Sequence, residues 1–86
     1  MTIENLVEKY IRSVQHVIQQ IQHSNHLDVK AERILDYGKR YFADAIYYCD
    51  HKRFETALVS IAYCEGLLDA LRLLKMVEFN WNMKRK

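Results

Sequence analysis

The sequence contains no proline and only two glycines in 86 residues. Folds that are rich in β-strands or loops need such residues where the chain reverses, so their scarcity argues against both. Half of the residues are hydrophobic, and residues that favour helices, such as leucine, alanine, glutamate and lysine, are abundant. The composition therefore predicts a single all-α domain, near the smallest size that folds alone.

Long hydrophobic runs are also missing. No run reaches the roughly 20 residues that span a bilayer, and the N-terminus lacks the pattern of a signal peptide. Only two cysteines are present, Cys49 and Cys64, and both lie within helical hydrophobic patterns. Such cysteines are usually buried thiols in a reducing compartment. We therefore expect a cytoplasmic protein without a membrane segment.

The sequence has little excess of one sign of charge, because its formal net charge is only +2. Lys84, Arg85 and Lys86 account for this excess, and the rest of the chain has ten basic and eleven acidic residues. A nucleic-acid-binding domain usually has a basic face on its folded part. A nucleic-acid-binding module that uses the basic C-terminal tail is therefore the alternative hypothesis, not the leading one.

Hydrophobic periodicity predicts three helices, over about residues 3–24, 28–50 and 54–78, and a frayed basic tail at 83–86. Thr2 and Asp28 are the expected N-caps of the first two helices. The short breaks predict an up-and-down three-helix bundle, with Phe79 or Trp81 folded back onto it.

The glycines have two interpretations. Gly38 and Gly66 fall at the same height of the predicted hairpin between helices two and three. They indicate either a close crossing of the two backbones or glycines that are merely tolerated within helices.

The third predicted helix is apolar around about three-quarters of its circumference, which is more than two neighbouring helices cover. We take Glu65, Asp69 and Arg72 to mark its solvent face. The predicted bundle-facing side is opposite, and its main residues are Tyr63, Leu67, Ala70, Leu71 and Leu74.

Part of the apolar surface of this helix therefore needs a partner other than the two neighbouring helices. The predicted helix-packing or interface residues are Leu58, Ile61, Ala62, Gly66, Leu68 and Ala70. An exposed apolar patch usually marks an interaction site, and a twofold-symmetric homodimer is the commonest closed arrangement. We expect that the partner is a second copy of the chain, which gives a homodimer. A different protein is the other possible partner.

Chemical motifs are nearly absent. Asp44, Tyr63 and Asp69 form a predicted polar set, in which Asp44 accepts hydrogen bonds from Ser60 or Tyr63 and fixes the hairpin register. General acid–base catalysis would need a second titrating group in a cleft, so a small enzyme with a pocket at this set is only a third hypothesis. The histidines and cysteines form no closed ligand set or activated nucleophile. We expect no catalytic residues, no metal site and no cofactor.

Two motifs in the second half of the chain are characteristic. They are Tyr-x-x-Asp at residues 41–44 and Tyr-x-x-Gly-x-x-Asp-Ala at residues 63–70. Together with their spacing, over about residues 31–77, they resemble an archaeal family of short helical proteins, the domain-of-unknown-function family three-five-seven. The chain departs from the family at Leu67, where members tend to have an aromatic residue.

The resemblance implies an up-and-down three-helix bundle of archaeal, cytoplasmic origin. In that family the domain also occurs joined to nucleotidyltransferase-like domains, which implies an accessory or assembly module. No catalytic residues are established for the family, so none is transferred to this chain.

Overall fold

The computed structural model describes residues 2–24 and 27–81, which form three α-helices. These are α1 (Ile3–Ser24), α2 (Val29–Asp50) and α3 (Phe54–Leu73). The described ranges contain no β-strand. The predicted all-α three-helix bundle is therefore confirmed. The predicted frayed tail at residues 83–86 lies outside the described residues.

Side chains at the starts of α1 and α2 satisfy backbone N–H groups that have no partner within the helix. At α1, the Asn5 N–H donates to Thr2 Oγ1 over 3.0 Å, and the Thr2 hydroxyl donates to Asn5 Oδ1 over 2.7 Å. At α2, the Ala31 N–H donates to Asp28 Oδ1 over 2.8 Å. Both predicted N-caps are confirmed.

The core lies between all three helices, but the pairing is uneven. α2 and α3 form the most extensive contact, and α1 packs against both of them less extensively. Each fully buried aliphatic side chain stabilises such a core by roughly 1.5–3 kcal/mol. The largest side chains removed from solvent are Val7, Val14, Val17, Ile21, Ile61, Cys64, Leu68 and Leu71.

Helix α3 ends at Leu73, sooner than the predicted residue 78. Lys75 adopts a left-handed conformation with φ of 61°, and the Met76 N–H donates to the Leu71 carbonyl over 2.9 Å. This geometry closes the last helical turn and reverses the chain. The returning segment buries Val77 and Phe79 against the bundle, which confirms that Phe79 folds back.

The core-facing side of α3 also differs from the prediction, by roughly a quarter of a turn. Its buried residues are Ala57, Ser60, Ile61, Cys64, Leu68 and Leu71. Tyr63 and Leu74, which the sequence placed toward the bundle, are exposed instead. The prediction was wrong because Asp69 and Arg72 were taken as markers of the solvent face, whereas both contact the returning C-terminal segment.

Candidate interaction surface

The side of α3 that points away from the core carries hydrophobic residues where a surface helix normally carries polar ones. Its four large members are strongly exposed: Val59 by 56%, Tyr63 by 60%, Leu73 by 70% and Leu74 by 65%. We define the outer face of α3 as Val59, Ala62, Tyr63, Gly66, Ala70, Leu73 and the C-cap residue Leu74. None of these residues is charged.

The predicted interface residues divide into two groups. Ala62 and Gly66 are exposed on the outer face, and Leu58 and Ala70 are half-buried at its edges. Ile61 and Leu68 are buried in the bundle core, so of the two predicted roles they have the helix-packing one and are not available to a partner. Both belong to the stripe that repeats every three or four residues along the core side of α3, and the bundle itself covers that stripe.

The two glycines do not meet. A Cβ atom added at Gly66 would have nothing within 4 Å, whereas one added at Gly38 would lie 3.7 Å from Leu68 Cδ2 and 3.8 Å from Cys64 Sγ. Gly38 therefore faces α3 inside the bundle, and Gly66 faces solvent. Of the two interpretations of the glycines, the close crossing of Gly38 and Gly66 is wrong, because the quarter-turn difference moves Gly66 to the outside.

Stacked aromatic rings connect α3 to α2. The rings of Tyr41 and Tyr63 stack with their centroids 5.3 Å apart and a 20° angle between planes. Earlier in α2, the Arg40 guanidinium lies 5.1 Å from the centroid of the half-exposed Tyr37 ring. Tyr41 therefore borders the outer face on the side of α2.

The predicted polar set is not assembled. Asp44 is exposed and has no hydrogen bond to another described residue. Tyr63 belongs to the aromatic stack, and Asp69 accepts a hydrogen bond from the Trp81 indole N–H over 2.9 Å. The predicted hydrogen bonds from Ser60 or Tyr63 to Asp44 are absent, because Ser60 faces the core and the Tyr63 ring lies on Tyr41.

The returning C-terminal segment makes a contact that sequence analysis did not find. The Gln20 side chain donates to the Asn80 carbonyl over 2.7 Å and accepts from the Asn80 N–H over 3.1 Å. Together with the bond between Asp69 and Trp81, these bonds attach the segment to α1 and α3. The partners are 60 and 12 residues apart, so no local pattern could reveal them.

The two thiols are poorly suited to nucleophilic chemistry, which requires the thiolate. Burial raises the pKa of Cys64 to about 12, with a smaller contribution from the charge of Glu65. Burial also raises the pKa of Cys49, with smaller effects from the carboxylates of Glu8, Asp50 and Glu4. Cys49 lines an open groove of about 330 Å³ between α1 and α2. Both cysteines therefore stay protonated at neutral pH.

The described residues also contain no group of three or more histidine, cysteine, aspartate or glutamate side chains that could hold a metal ion. Within the same ranges, no helix has both the length and the hydrophobicity needed to cross a membrane.

Comparison with known proteins identifies the family. A family model described as "Protein of unknown function (DUF357)" matches residues 9–77, which include most of α1, all of α2 and α3, and the turn after α3. The chain belongs to the DUF357 family. The match confirms the resemblance carried by the motifs at residues 41–44 and 63–70. No curated protein and no solved structure matches this DUF357 chain.

Proposed function

We propose that this DUF357 protein is a non-catalytic protein-interaction module whose binding surface is the outer face of α3. The observation that carries the proposal is the exposure of four large hydrophobic side chains along one helix face, each by more than half. Soluble monomers rarely leave contiguous hydrophobic patches in water, because covering such a patch releases free energy in proportion to its area.

Helix α1 provides an internal comparison. Its solvent side carries the exposed polar residues Arg12, Gln15, His16 and Gln19, as expected for a helix that only the bundle covers. The opposite side of α1 is buried, with Val14, Val17 and Ile21 in the core. The same bundle thus has one helix with a polar solvent side and one helix, α3, that exposes four large hydrophobic side chains. Helix α2 also exposes large hydrophobic residues, namely Val29, Tyr37, Ile46 and Tyr47, but exposed charged residues lie among them. The uncharged face of α3 is therefore the stronger candidate for a partner.

The absence of catalysis in this proposal rests on the separation of the polar groups. Asp44, Tyr63 and Asp69 do not converge, and the pKa values of both thiols are raised. We also propose a cytoplasmic location, since Cys49 and Cys64 are both unpaired thiols. An archaeal source is proposed from the family resemblance alone.

Site-specific photo-crosslinking in cells tests the binding surface. A photoreactive phenylalanine analogue replaces either Tyr63 on the outer face or Tyr47 on α2, which is exposed to a similar extent, 56% against 60%. We expect crosslinked species of higher mass from position 63 and not from position 47. Equal crosslinking at both positions, or none at position 63, would contradict the proposal.

A further inference from the structure

We infer that the C-terminal segment, residues 77–81, exchanges between two copies of this chain at high concentration. Each copy then places its segment against α1 and α3 of the other, and Lys75 is the hinge of this domain swap. The contacts involved are those of the folded-back segment, not those of the outer face of α3. The inference therefore goes beyond the proposed function and does not rest on it.

The segment is held by residues that are distant from it in sequence. Asn80 exchanges hydrogen bonds of 2.7 and 3.1 Å with the Gln20 side chain of α1, and the Trp81 indole N–H donates to Asp69 of α3 over 2.9 Å. Phe79 is buried against the bundle. Gln20 and Asp69 belong neither to the segment nor to its hinge, so the same residues of a second copy offer identical bonds. A swapped pair therefore keeps these contacts.

The chain reverses at a residue that is poorly suited to the turn. Lys75 has a φ of 61°, a left-handed conformation that glycine adopts freely and that is unfavourable for a residue with a side chain. The Lys75 N–H donates to the Arg72 carbonyl over 3.0 Å, and the Met76 N–H donates to the Leu71 carbonyl over 2.9 Å. A helical backbone at Lys75 removes the unfavourable conformation and replaces these bonds by those of a longer α3. Short hinges under strain favour domain swapping.

The sequence around the hinge allows α3 to continue. Residues 73–78 contain neither proline nor glycine, and leucine, lysine, methionine and glutamate among them favour helix. The hydrophobic periodicity itself predicts helix as far as residue 78. The same stretch is thus compatible with the reversal in the structure and with a straight continuation. The continuation carries residues 77–81 away from their own bundle and toward a second one.

The other left-handed lysine is not an equivalent hinge. Lys52 has a φ of 62° in the turn between α2 and α3. Opening of that turn would separate α2 from α3, which form the most extensive contact of the bundle. The segment after Lys75 is much shorter, so its release disturbs the core less.

Concentration decides between the closed chain and the swapped pair. Because both states contain the same segment contacts, the balance depends on the effective concentration of the segment within its own chain, which is about millimolar for a short connection. Release of one left-handed residue favours opening by about fivefold, and a pair contains two such hinges. We therefore expect a dissociation constant of roughly tens to hundreds of micromolar.

Sedimentation equilibrium from about 10 µM to about 1 mM, after an incubation that lets the chains exchange, measures this association. The wild-type mass should rise from that of one chain toward that of two. Lys75→Gly should weaken dimerisation by at least about tenfold, because glycine adopts the left-handed turn without cost and disfavours the longer helix. Lys75→Ala is the matched control: it removes the charge but keeps the unfavourable conformation, so it should dimerise like the wild type.

A mixture of two variants tests whether the segment enters the other copy. Asp69→Ala lacks the acceptor, and Trp81→Phe lacks the donor, of the same hydrogen bond. Only a swapped heterodimer brings Trp81 of the first variant to Asp69 of the second and forms this bond. Native mass spectrometry, with one variant labelled with a heavy isotope, measures the pairing. Heterodimers should make up at least about two-thirds of all dimers, against about half for random pairing.

Each outcome decides for or against the exchange. A wild-type chain that stays monomeric up to about 1 mM would overturn it, and so would random pairing of the two variants at concentrations where the wild type is dimeric. Equal dimerisation of Lys75→Gly and the wild type would show that two copies associate without opening the hinge, and would overturn it as well. The outer face of α3 is intact in all these variants, so these results leave the crosslinking prediction at position 63 unaffected.

Discussion

The indole N–H of Trp81 donates a 2.9 Å hydrogen bond to Oδ1 of Asp69, and this bond joins the C-terminal segment to the C-terminal part of α3. The same carboxylate oxygen accepts a weaker contact from Arg72 Nη2 at 3.3 Å. The Trp81 ring also packs edge to face on Phe79, with the centroids 5.2 Å apart. Asp69 therefore connects α3 to the same segment that Gln20 of α1 binds.

Replacing Trp81 by phenylalanine should destabilise the protein by about 1–2 kcal/mol. The substitution retains an aromatic ring beside Phe79 but removes the only N–H donor of that ring, and a half-buried hydrogen bond to a carboxylate contributes this much. Urea denaturation followed by circular dichroism measures the change. A free energy of unfolding equal to that of the wild type would show that the bond contributes no net stability.

Replacing Gln20 by alanine should release the C-terminal segment before the bundle unfolds. The substitution removes both hydrogen bonds to Asn80 while keeping a residue that favours helix. Trp81 is the only tryptophan, so its fluorescence reports on the segment directly. We expect the emission to shift to longer wavelength at urea concentrations where the helix signal is still intact. Coincident transitions by both probes would contradict this expectation.

Asp44 and Asp69 should differ in their contribution to stability, although both lie within the family motifs. Asp69→Ala removes the bonds to Trp81 and Arg72 and should cost about 1–2 kcal/mol. Asp44→Ala affects an exposed side chain without a described hydrogen-bond partner, so it should change stability by no more than about 0.5 kcal/mol. Thermal unfolding of the two variants measures the difference. A larger effect of Asp44→Ala would indicate that this carboxylate has a structural partner after all.

Most of the fold could be predicted from local sequence patterns. Helix starts are encoded by short-range signals, and the caps at Thr2 and Asp28 lie within three residues of the N–H groups they bind. The turn after α3 has no such signal, because a lysine, Lys75, occupies the left-handed position that glycine usually takes. Burial of Val77 and Phe79 accompanies this conformation, and that is a tertiary effect.

The candidate site was predicted only in part, for a related reason. The apolar excess of α3 was evident from composition, and Ala62 and Gly66 do lie on its exposed side. Which side of α3 faces the core was not evident, because hydrophobic residues occur around most of its circumference. The charged residues were therefore the only markers of its solvent side. Asp69 misled that assignment, since its bond to Trp81 forms only in the folded chain.

The buried thiol of Cys64 should make stability fall with rising pH above about 9. Its pKa is raised by burial from an ordinary value of 9.0 to about 12, so the folded state keeps the proton that the unfolded chain loses in this range. The contribution is fully present below pH 9, and about 1.4 kcal/mol is lost for each pH unit above it, up to about 4 kcal/mol near pH 12.

Urea denaturation of the wild type and of Cys64→Ala at pH 8, 9, 10 and 11 isolates this effect, because the two proteins differ only at this side chain. The alanine variant should be less stable at pH 8, owing to the cavity left in the core, and its disadvantage should shrink or reverse as the pH rises. Parallel stability curves over this range would show that the Cys64 thiol ionises as readily in the folded protein as in the unfolded chain.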